Sequence, residues 1–143
     1  MIDGINKSAA FDKIYHSESM HEMLCKADLY GIDIADFELL SYLARTTSYH
    51  HAFWPHTKKR FYAFKNLLKH LCKKLVKEKP ETIDKLHSAI LKCLNSILSN
   101  SWQASTPGGQ QEIKNLEQLI GILQHCIENS SSQSYQKKKK AIA

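Results

Sequence analysis

The segment Pro55 to Lys79, PHTKKRFYAFKNLLKHLCKKLVKEK, reads as one long amphipathic helix. Phe61, Phe64, Leu68, Leu71, Leu75 and Val76 recur at intervals of three and four, while Lys58, Lys65, Lys69, Lys73 and Lys77 line most of the other side. Nine Lys or Arg against one acid, Glu78, give this segment a charge of +8; the whole chain carries +6, so everything else sums to −2. One helix thus supplies both a core face and the strongest field in the molecule.

The neighbouring segments follow from the same periodicity. Pro55 suits the first residue of a helix, where its missing N–H leaves nothing unpaired. Pro80 ends the long helix, because the residue before a proline is driven out of helical geometry. A further helix is expected from about Glu81 to Trp102, with Ile83, Leu86, Ile90, Leu94 and Ile97 on one face. So short a joint makes the two helices antiparallel neighbours. Residues 105–109, SerThrProGlyGly, form a turn signal. After it Ile113, Leu116, Ile120, Leu123 and Ile127 mark a last helix ending near Asn129, which Gly121 weakens unless a neighbour packs tightly there.

Upstream, a short helix from Ser8 to about His16 is followed by one opened by the capping pattern Ser19-x-x-Glu22, and the two could equally form one bent helix. Met20, Met23, Leu24 and Ala27 form the core stripe of the second, and Gly31 suits the left-handed position after its end. Asp33 offers a cap for a helix reaching about Arg45, with Ile34, Phe37, Leu40, Tyr42 and Leu43 inward. Thr46 to Trp54, TTSYHHAFW, shows no helical period and is expected to be a loop. The fold expected is therefore all-α: a single-domain antiparallel bundle of about five helices over residues 1–129, with a polar, basic, disordered tail over 130–143.

Several function classes lose support at this level. No apolar run reaches the roughly 20 residues of a membrane span, and the opening MIDGINKSAAFDK has no signal-peptide pattern. A soluble cytoplasmic protein is expected. Cys25, Cys72, Cys93 and Cys126 are scattered with no CxxC pair, as core thiols would be. His50, His51 and His56 cluster in sequence, and His21 with Cys25 has i, i+4 spacing, but neither set completes a metal ligand group. No GxSxG, HExxH or GxxxxGK[ST] occurs, so neither an enzyme nor a cofactor is expected.

Charge points to binding. Residues 1–54 hold eight acids against four bases, the helix carries +8, and Lys137 to Lys140 add +4. The stretch Tyr49 to Arg60 sets Tyr49, Phe53 and Trp54 beside Lys58, Lys59 and Arg60, the residue types that dominate binding hot spots. The partner-binding set is thus Tyr49, His50, His51, Phe53, Trp54, Lys58, Lys59, Arg60, Lys65 and Lys69, facing a protein partner with an acidic surface. His50 and His51 would make such binding sensitive to pH between roughly 5 and 8. Phe53 and Trp54 equally suit a plug at the bundle end, and the lysines could instead pair with the N-terminal acids. Nucleic acid is the alternative partner of the basic helix and the lysine tail, though the helix lacks the Asn, Gln and Arg pattern that reads base edges. The apolar face of Ile113 to Ile127 either completes the core of its own chain or packs across the two-fold axis of a homodimer.

The tail, Ser130, Ser131, Ser132, Gln133 and Ser134 followed near the end by Ile142, resembles the C-terminal signals of small type IV secreted effector proteins of intracellular bacteria. It departs from them in its four lysines and in having no acid after Glu128. The resemblance implies delivery into a host cell and action by binding, including inhibition of another effector enzyme such as a ubiquitin-modifying one.

Overall fold

The computed structural model describes the backbone of residues 6–49 and 55–142 and the side chains of residues 6–49 and 57–129. The described backbone forms seven α-helices and no strand: α1 Lys7–Tyr15, α2 Met20–Leu29, α3 Phe37–Ser48, α4 Pro55–Glu78, α5 Pro80–Leu98, α6 Ser101–Ser105 and α7 Pro107–Ile142. The class is all-α. The count exceeds the expected five because α1 and α2 are separate helices and α6 is an additional turn of helix.

Local chemistry explains the boundaries. Asn6 caps α1 by accepting from Ala9 N–H at 2.8 Å. At α2, Ser19 accepts from Glu22 N–H at 3.1 Å, and the Glu22 carboxylate accepts from Glu18 N–H at 2.9 Å. That reciprocal arrangement satisfies two donors at the helix start. It also holds the Glu22 carboxyl below its ordinary range, through the Glu18 N–H first and Lys26 second. Gly31, at φ 66°, ends α2: Gly31 N–H donates to Asp28 and Ile32 N–H to Ala27, the paired bonds of a Schellman motif.

Several boundaries differ from expectation, among them the end of α5, which stops at Leu98 and not near Trp102, the latter falling in the separate α6. Asp36, not Asp33, caps α3, accepting from Glu38 N–H at 2.8 Å, while Asp33 accepts from Ala35 N–H within the preceding turn. α3 also runs on to Ser48, taking in Thr46 to Ser48 from the expected loop. Thr46 and Thr47 fit there because their hydroxyls donate back to the carbonyls of Tyr42 and Leu43. Finally, α7 starts at Pro107 rather than near Ile113, with proline at the first helical position and Thr106 capping it by accepting from Gly109 N–H at 3.0 Å. Gly109 is obligatory: a Cβ there would lie 1.8 Å from the Gln103 carbonyl oxygen. The backbone of α7 continues past Asn129 to Ile142. The expectation of a disordered tail over 130–143 falls on positions whose side chains lie outside the described residues.

The core forms where the stripes meet. Phe61, Phe64, Leu68, Leu71 and Leu75 of α4 are buried as expected, and Leu67 is buried as well. The extra burial arises because α4 is covered on more than one side: α2, α3, α5 and α7 all pack against it. Lys79 alone joins α4 to α5. α4 and α7 advance together, since Lys65 meets Gln118 and, two turns on, Cys72 meets Cys126. Asn115 is buried among the apolar positions of α7, accepts from Gln111, and donates through Nδ2 to the Ser48 carbonyl at 3.1 Å. It thereby satisfies a carbonyl at the C-terminal end of α3, which the helix itself leaves unpaired. No described helix is long and apolar enough to cross a membrane.

Candidate functional site

The residues of the expected binding set divide onto two sides of α4. A helix turns about 100° per residue, so positions 58, 62, 65, 69, 73 and 76 lie along one strip, with 59 and 60 off it. Lys59 turns toward the connection between α1 and α2, with Nζ 3.9 Å from the Glu18 carboxylate. Arg60 is half-buried and lies over the Tyr15 ring of α1, 4.8 Å from its centroid. Those two cations tie α4 to the N-terminal helices. Tyr49, Lys58, Lys65 and Lys69 face the opposite strip, and His50, His51, Phe53 and Trp54 lie outside the described residues.

Two adjoining depressions run along this strip between α4 and α7. The smaller, about 120 Å³, is lined by Tyr49, Thr57, Lys58 and Tyr62 with Gln111 and Gln118 opposite. Gln118 also lines the larger one, a groove of about 920 Å³. Its α4 wall carries Lys65, Lys69, Lys73 and Lys77; its floor is Cys72, Val76, Ile122 and Cys126; its α7 wall is Gln118, Gly121, His125 and Asn129. A Cβ added at Gly121 would meet nothing within 4 Å, so this glycine opens the groove and does not serve close helix packing.

Lys65 marks the junction. Its Nζ donates to Gln118 Oε1 at 2.8 Å and lies 4.9 Å from the Tyr62 ring centroid and 5.6 Å from that of Phe61. Burial first, and the charge of Lys69 second, lower its pKa. Among the described residues, the ion pairs of the chain involve Lys7, Lys26, Lys59 and His16, and none involves Lys65, Lys69, Lys73 or Lys77. The acids of the N-terminal helices therefore leave the groove lysines uncompensated; Asp36 and Glu38 are engaged by Lys7.

The floor holds a thiol pair that sequence spacing conceals. Cys126 Sγ donates to the Cys72 carbonyl at 3.3 Å, and burial, then the neighbouring Cys126, pushes the Cys72 thiol up to about 12. All four cysteines are free thiols. No group of three or more His, Cys, Asp or Glu gathers among the described residues; His21 and Cys25 meet only as an exposed pair, 3.4 Å apart.

Comparison of the chain with protein-family models, curated proteins and solved structures returns no match. The candidate site is the strip between α4 and α7. Its lysines were visible in the sequence. Its α7 half was not, because Gln118, Gly121, Ile122 and His125 acquire meaning only when α7 is laid beside α4.

Proposed function

We propose that the chain is a non-catalytic helical module that binds an acidic protein partner along the α4–α7 strip and inhibits it. The observation that carries this reading is the row of four groove lysines, none of which is paired with an acid of its own chain among the described residues. Four uncompensated cations beside apolar surface favour a partner that brings carboxylates and apolar side chains together. Duplex nucleic acid would use the lysines but leave Val76, Ile122 and Cys126 uncovered, so a protein partner is the better match. Under the tail's resemblance to type IV effectors, the inhibited partner would be another effector enzyme acting inside a host cell.

The test is binding of purified candidate partners to wild type and to Lys69→Glu/Lys73→Glu. The expected result is a complex weakened roughly tenfold, about 1.4 kcal/mol, by the double reversal and weakened further by salt. A complex indifferent to both, or a protein that retards duplex DNA at about 50 mM salt and no acidic protein, would count against it.

A further inference from the structure

The groove between α4 and α7 has a shape and a charge pattern that narrow what can occupy it. Lys65, Lys69, Lys73 and Lys77 are each four residues apart, hence spaced by about 6 Å over a length of roughly 18 Å at 1.5 Å per residue. Among the described residues no acid lines either wall. The floor between the walls is apolar, and Gly121 leaves it open from the α7 side.

An anionic lipid or fatty acid would need its cations gathered at one end of an apolar slot, whereas here they are spread along its whole length. A second copy of this chain is disfavoured because both copies would carry +6 and present the same lysine row. A ligand with carboxylates at the same spacing and an apolar stripe beside them fits both features at once. That is the surface of an amphipathic helix with acids at i, i+4 and i+8 and apolar residues three and four positions apart. The volume of about 920 Å³ accepts the apolar side chains of such a helix, with its polar side left in solvent.

We infer that the α4–α7 groove is the docking site for an acidic amphipathic helix of about three turns, supplied by a partner protein, with its carboxylates on Lys65 to Lys77 and its apolar stripe on Val76, Ile122 and Cys126. The inference deepens the proposed function and rests on it: the earlier reading needs an acidic partner anywhere on the strip, and this one fixes the partner's conformation and seat. Lys65, already held against Gln118, sets one end of the register.

Selection from a random library of peptides about 14 residues long, displayed against the full chain, tests this directly. Enriched peptides should carry acids at four-residue intervals with apolar residues between them, and should become helical on binding by circular dichroism. Gly121→Leu fills the groove where a side chain meets nothing within 4 Å, so it should abolish binding while leaving the melting temperature no lower than that of wild type. Lys69→Glu/Lys73→Glu should weaken the same peptides by about tenfold, and Lys59→Glu, about 9 Å along α4 before Lys65 and turned to Glu18, should not. Acidic peptides that bind Gly121→Leu as well as wild type, and are lost in Lys58→Glu, would overturn the groove assignment and leave the acidic-partner reading standing. Enrichment of peptides without acids, or of none, would overturn both. Gly121→Leu that fails to fold is replaced by Ile122→Glu, which puts a carboxylate on the floor and should abolish binding of the same peptides.

Discussion

Lys65 and Gln118 are bonded across the seam of α4 and α7, Nζ to Oε1 at 2.8 Å, although 53 residues separate them. The bond is the point where two segments of unremarkable sequence become one surface. On one side of it lie Tyr49, Lys58 and Tyr62; on the other lies the apolar groove with its lysine wall. The strip is the proposed recognition surface, and beneath it lies a core that closes on the far side of α4.

Two of the three glycines of α7, Gly109 and Gly121, should respond oppositely to alanine. Gly121→Ala adds a methyl to open space on a helix and should stabilise the fold by about 1 kcal/mol, raising Tm by about 2–4 °C. Gly109→Ala would put its methyl 1.8 Å from the Gln103 carbonyl and must displace α6 or α7, lowering Tm sharply. Thermal melts by circular dichroism check both.

Asn115 should prove a structural polar group. Replacing it with Leu removes the donor to the Ser48 carbonyl at the end of α3 and should cost about 1–3 kcal/mol in urea unfolding. Leu in place of the equally placed but exposed Gln118 should leave stability nearly unchanged, since only the bond to Lys65 is lost.

Much of this was legible along the chain, and what was not has physical causes. The apolar stripes of α4, α5 and α7 announced an all-α fold because a helical period survives any tertiary arrangement, and Ser19, Glu22 and Gly31 act through bonds a few residues long. Thr46 to Ser48 read as loop because β-branched and polar side chains disfavour helix, yet the Thr46 and Thr47 hydroxyls are absorbed by carbonyls one turn back. Pro107 read as turn because Thr-Pro-Gly-Gly suits turns, although the same proline opens α7. Within the site, Lys58, Lys65 and Lys69 were recognisable as one helix face. Lys59 and Arg60 were grouped with them by sequence adjacency, and a rotation of about 100° per residue sends them instead to Glu18 and Tyr15. The groove itself depends on a pairing between distant segments, which periodicity does not encode.

Alkaline pH should loosen the α4–α7 floor. A thiol whose folded pKa is raised contributes stability that is complete below its unfolded value, near 9.0, and is lost as pH rises toward about 12, because the unfolded chain releases its proton first. Urea unfolding of wild type should therefore show falling stability between pH 9 and 12, with a shallower fall in Cys72→Ala. At neutral pH, exposed Cys25 should react with a thiol reagent well before buried Cys72, as mass spectrometry of partly alkylated protein would report.

Acid should weaken the start of α2. The Glu22 carboxyl is held below its ordinary range by the Glu18 N–H and Lys26, so its contribution is complete above the unfolded carboxylate pKa and lost as pH falls through the folded one. Ser19→Ala should cost about 0.5–2 kcal/mol at neutral pH by removing the cap.

The most direct measurement of the central claim is a titration of the isotopically labelled full chain with an acidic partner, followed by amide chemical-shift mapping. Binding along the strip predicts that the perturbed amides gather between Lys65 and Lys77 of α4 and between Gln118 and Asn129 of α7, and that Lys69→Glu/Lys73→Glu suppresses them. Perturbations gathered on α1 and α2, around Tyr15 and Glu18, with α7 silent, would contradict it.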